Sequence, residues 1–94
     1  VLKMYWKATL YELPGVEKID LPVDREYYGY IDEETYPDWD SEVAKEIFLY
    51  LEEKLAPENA LGDKDYSKLA PLSNMNIDVE TVSKEEYDLK TSEI

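Results

Sequence analysis

The side chains in this sequence with a capacity for chemistry are carboxylates and tyrosines, and they crowd into one stretch. Between Glu26 and Glu53 there are ten carboxylates: Glu26, Asp32, Glu33, Glu34, Asp38, Asp40, Glu42, Glu46, Glu52 and Glu53. The only base among them is Lys45, so these 28 residues hold −9 of the chain's −13. Tyr27, Tyr28, Tyr30, Tyr36, Trp39 and Tyr50 run through the same window. Paired carboxylates serve glycoside hydrolysis, hard-cation binding, or recognition of a cationic surface.

The first two uses are poorly supported. Histidine and cysteine are both absent, which removes the commonest general base, the usual zinc and iron–sulfur ligands, and the base of a serine triad. Three scattered glycines form no phosphate-binding loop. Asp38-Trp-Asp40-Ser-Glu42 has the alternating oxygens that open a calcium loop, but Val43 stands where the sharp turn needs glycine. Asp63-Lys-Asp65-Tyr-Ser67 fails in the same way, with Lys68 at that position. No catalytic residue, metal ligand or cofactor is expected, and the chain reads as non-catalytic.

Recognition of a basic partner remains. At a pI near 4.2 the long-range field repels nucleic acid and anionic lipid and attracts basic proteins. An inhibitor of a nucleic-acid-handling protein can set carboxylates where phosphates would lie and occupy the basic groove itself. On this reading Glu33, Glu34, Asp38, Asp40, Glu42 and Glu46 are phosphate surrogates, and Tyr28, Tyr30, Tyr36 and Trp39 are anchors, since aromatic side chains dominate protein interfaces. The expected partner is a nuclease, polymerase or repressor. By charge alone, the chain is analogous to the mimics with which phages and mobile elements oppose restriction or CRISPR nucleases, an analogy of composition and not a resemblance of sequence. The alternative is an ordinary interaction module that uses sheet edges or a long loop, its acids serving solubility. Surfaces kept only for solubility usually intersperse both signs, which this window does not.

These residues need elements to position them. With 94 residues, 44% of them apolar, the chain is expected to form one domain spanning 1–94. The segment VLKMYWKATLYEL lacks the basic-then-apolar order of a secretory signal, no apolar run is long enough for a membrane span, and cysteine is absent; a cytoplasmic location is expected. Leu2, Met4, Trp6, Ala8 and Leu10 alternate with Lys3, Tyr5, Lys7, Thr9 and Tyr11, predicting a strand over 2–13 with Trp6 in the core. Pro14-Gly15 then turns the chain. Ile19, Leu21 and Val23 predict a second strand, at an edge or bulge because of Pro22, and Tyr27 to Ile31 a third, where Gly29 permits close approach.

Asp38, Asp40 and Ser41 are all suitable caps for a helix at about 41–56 that buries Val43, Ile47, Phe48, Leu51 and Leu55 and stops before Pro57. Trp39 beside its start suits a staple against Val43 as well as an exposed anchor. Residues 57–74 predict a long connecting loop with one helical turn near Asp65 to Leu69. Met75, Ile77, Val79 and Thr81 predict a late strand, and Ser83 with Glu86 caps a short helix from Lys84 to Leu89, ahead of a frayed tail over 90–94. The fold class is therefore α+β: an antiparallel sheet of three to four strands packed by one main amphipathic helix, with a further short C-terminal helix.

Overall fold

The computed structural model describes residues 3–32 and 37–92. Three strands, β1 (Lys3–Glu12), β2 (Glu26–Asp32) and β3 (Met75–Val82), form an antiparallel sheet in the order β2-β1-β3. Helix α1 (Trp39–Leu55) covers one face; a 3-10 helix (Tyr66–Asn74) leads into β3, and α2 (Lys84–Thr91) ends the chain. The fold is α+β, as the pattern predicts.

β1 is central because its period-two alternation serves both neighbours. Lys7 pairs with Tyr28 on one side and Glu80 on the other, and Trp6 with Gly29 and Thr81. Its inward residues Trp6, Ala8 and Leu10 join Val43, Ile47 and Leu51 of α1 and Met75 of β3 in the core. Ala8, Val43 and Leu51 are sealed from solvent. Gly29 is the close approach that the sequence suggests. A Cβ there would lie inside contact distance of Trp6 Cζ2 and 2.8 Å from Cε2, so the indole lies against bare backbone.

The predicted strand at Ile19–Val23 does not form. Its backbone is claimed by side chains: the Ile19 N–H donates to Glu12 Oε2 at 2.6 Å, and Arg25 Nη2 donates to the Ile19 carbonyl. Arg25 also donates to both oxygens of Glu12, each at 2.8 Å. The ladder groups of Ile19 are thus used up, and Pro22 has no N–H to offer. Ile19, Leu21 and Val23 still cover the core, as an irregular flap.

Phe48 also departs from expectation. It is 45% exposed, because it stands about 100° around the helix from Ile47 and falls on the flank of the Val43–Ile47–Leu51–Leu55 stripe. The 57–74 connection is more ordered than a loop. Asn59 Oδ1 accepts from the N–H groups of Leu61 and Asp63, closing a turn in which Gly62 takes φ +81°. Asp65 then caps the 3-10 helix by accepting from the Ser67 N–H, and Leu72 packs on the core. Ser83 accepts from the Glu86 N–H at 3.1 Å, and α2 runs through Thr91, two residues past Leu89, into the segment expected to fray.

Two predictions test this architecture. Gly29→Ala should destabilise the fold by roughly 1–3 kcal/mol in urea unfolding, because the indole must shift within a packed core. Glu12 sits among donors, chiefly Arg25 and then the Ile19 N–H, that hold its carboxyl down at about 2 from an ordinary 4.5. A depressed carboxylate stabilises fully above its unfolded value and progressively less as pH falls towards its folded one. Wild type should therefore exceed Glu12→Gln in stability at neutral pH, with the gap closing between pH 4.5 and about 2. An unchanged gap over that range would remove the clamp from the account.

Candidate protein interface

Tyr28 and Tyr30 of the predicted interface lie on the opposite side of the sheet from Asp38, Asp40, Glu42 and Glu46 of α1. Asp38 precedes α1 as its N-cap, its side chain making no capping hydrogen bond, and Asp40 and Glu42 occupy the first turn. Carboxylates there complement the positive end of the helix dipole, but Glu46 lies one turn further on, where that benefit has faded. Glu42 and Glu46 share the outer side of the helix. Asp40 turns elsewhere: it lines a cleft of about 290 Å³ with Ser41, Ala44, Ile77, Asp78 and Val79. α1 thus brings together Asp38, Glu42 and Glu46, and sets Asp40 at its boundary with β3.

Tyr28 and Tyr30 point away from α1. Strand alternation puts Tyr27 and Ile31 on the core face, and Tyr28 and Tyr30 on the opposite one with Tyr5. Tyr30 belongs to a ring cluster with Tyr5, at 6.3 Å between centroids, and with Tyr87 of α2, at 6.1 Å; Tyr87 lies 4.9 Å from Tyr5. Lys3 Nζ stands 4.6 Å from the Tyr30 ring centre. Tyr28 flanks Lys7, which pairs with Glu26 at 3.6 Å. Burial pulls the Lys7 ammonium down, but Glu26, Tyr28 and Glu80 together outweigh it and hold the group above its usual range. Trp39 is the first residue of α1, inside the helix rather than before its cap where a staple sits, and is half-buried against the core. Glu33, Glu34 and Tyr36 lie outside the described residues.

Charge pairing is uneven. The ion pairs among the described residues are Lys7–Glu26, Arg25–Glu12, Lys64–Glu53 and Lys84–Asp88. None engages Asp38, Asp40, Glu42 or Glu46. Among the described residues no cluster of three or more carboxylates is arranged to hold a metal ion, and the Asp38–Glu42 segment is helix start rather than loop. No helix among them is long and apolar enough to cross a membrane.

Comparison with protein-family models, with curated proteins and with solved structures gave no match. Function has to be read from the surface itself. Here the structure adds two acids outside the predicted set, Asp78 and Glu80, which alternate with Ile77 and Val79 along β3. Their alternation is visible in sequence, whereas the face they occupy, the one away from α1 that Lys7 and Thr9 share, follows from the pairing of β3 with β1.

Tyr30 and Tyr28 should respond differently to truncation. Tyr30→Ala removes two ring contacts and a cation contact and should cost roughly 1–2 kcal/mol in denaturant unfolding. Tyr28→Ala, which loses a long contact with Lys7 and a weak hydrogen bond to Glu26, should cost about 0.5 kcal/mol or less.

Proposed function

We propose that this chain is a non-catalytic acidic inhibitor that binds the basic groove of a DNA- or RNA-handling protein in place of nucleic acid. The reading extends to the cytoplasmic counter-defence role that phage and mobile-element mimics perform. The observation that carries it is the set Asp38, Asp40, Glu42 and Glu46 at the start of α1, none of which is engaged by the ion pairs found among the described residues. Such carboxylates repel one another in the free protein and gain most from a cationic surface.

Charge density shapes the reading. Duplex DNA presents one charge per about 1.7 Å of axis, whereas acids four residues apart on a helix recur every 6 Å or so. α1 alone is therefore too sparse to match the duplex charge for charge, and Asp78 and Glu80 add negative charge at the β3 edge on the opposite sheet face. The tyrosine cluster on the far face is built into the packing of α2 and leaves Tyr30 a smaller part as anchor than the acids. A second reading, an interaction module working through its sheet edge, is favoured by the position of β3 at one side of the sheet.

Affinity capture from nuclease-treated lysate separates the two. Mimicry predicts a basic nucleic-acid-binding protein that is released in about 0.5 M salt, where the Debye length is only a few Å, and displaced by duplex DNA. Reversing Asp38, Asp40 and Glu42 together to lysine should weaken capture about tenfold or more while far-UV circular dichroism is unchanged. Undiminished capture by the triple variant would overturn the proposal.

A further inference from the structure

We infer that the free edge of β3 and the groove beside it take an extended segment of the partner protein in which apolar residues alternate with lysine or arginine. This rests on the reading of the chain as a binder of basic proteins and names the part of the partner that is held.

β3 is hydrogen-bonded to β1 on one side, and among the described residues its other side meets no strand. Natural edge strands are commonly blunted with lysine, proline or a bulge, but Met75–Val82 contains no lysine, proline or glycine. The charges it does carry, Asp78 and Glu80, are both negative and lie on the sheet face away from α1. On the other face, Ile77 and Val79 point towards α1. There a cleft of about 370 Å³, lined by Ala44, Phe48, Leu72, Met75 and Ile77 among others, adjoins the one that holds Asp40 and Asp78. Ala44 and Ile77 belong to both, so the two form one groove along the boundary between α1 and β3.

A strand added to this edge would meet the two faces alternately, because its side chains have period two. Those on the α1 side enter the groove over Ala44, Ile77 and Phe48, and that floor calls for apolar groups. Those on the other side stand beside Asp78 and Glu80, and call for cations. A second copy of this chain fits badly, since antiparallel pairing of two β3 edges would bring Asp78 and Glu80 against their own kind in a dimer of doubled net charge.

Fluorescence anisotropy tests this with two labelled synthetic peptides of identical composition. One alternates valine and lysine strictly; the other carries the same residues in two blocks. The alternating peptide should bind about tenfold more tightly than the block peptide. Asp78→Lys with Glu80→Lys should abolish that preference, and Ala44→Lys, which fills the groove from a helix position that accepts lysine, should do the same with circular dichroism unchanged. Equal, salt-sensitive binding of both peptides would overturn the inference while leaving the acidic surface a binder of cations. Binding of neither peptide, with capture of a basic protein intact, would overturn it too. A concentration-dependent dimer in sedimentation, dissolved by the Asp78/Glu80 reversal, would also overturn it, in favour of self-pairing. Loss of the triple α1 variant's effect on capture, by contrast, would sink the mimicry reading without touching the peptide preference.

Discussion

The indole of Trp6 lying across the bare backbone of Gly29 is the contact from which the rest of the packing follows. A ring of that size on the central strand cannot share the core face with another large side chain at the paired position, so β2 carries glycine there. The core to which that ring belongs includes Ile47 and Leu51 of α1, and the Ile19–Val23 flap packs against it. In a domain this small, which buries a limited share of its surface, one tryptophan in the core supplies an unusually large part of the available apolar burial. The flap is in turn held down by Glu12 and Arg25, the chain's one arginine, whose planar fork matches both the carboxylate and the Ile19 carbonyl.

That use of arginine bears on the surface. With ten bases against 23 acids, every base committed to structure leaves the acids elsewhere less compensated. Arg25, Lys7, Lys64 and Lys84 are committed to ion pairs, and Lys3 and Lys54 lie against tyrosine rings. The exposed pairs stabilise little individually, but they determine where negative charge is left over. The acids at the start of α1 are among those that no such pair engages, and the self-repulsion there is a standing cost to the folded state.

Much of this was legible in the sequence where a single element decides the outcome. The alternation from Lys3 to Tyr11, the Val43–Ile47–Leu51–Leu55 stripe and the Ser83/Glu86 cap each depend on near neighbours, and each forms as its pattern requires. The strand expected at Ile19–Val23 failed because Glu12 and Arg25, distant in sequence from each other, converge on one residue's backbone. Phe48 was misplaced by a fraction of a helical turn, a rotation that only the position of β3 decides. The predicted interface suffered most. Period two separates Tyr28 and Tyr30 from Tyr27, but which of those faces α1 covers is a property of the assembled sheet. Helix and tyrosines, adjacent in the chain, therefore end on opposite sides of it.

The same separation argues for where a partner would sit. On the tyrosine face, Tyr5, Tyr30 and Tyr87 are committed to one another and to holding α2, and Lys7 offsets Glu80 across the strand pair, leaving Asp78 and Glu80 to act only at the outer edge of β3. On the α1 face, the acids adjoin an apolar groove and a strand edge that carries no lysine, proline or glycine. Charge alone would give fast, salt-sensitive encounter with many basic proteins and little choice among them. Backbone pairing alone would accept almost any extended chain. Placed side by side on α1 and β3, the two filter each other: the acids exclude acidic strands, and the groove excludes polycations with no apolar side chain to bury.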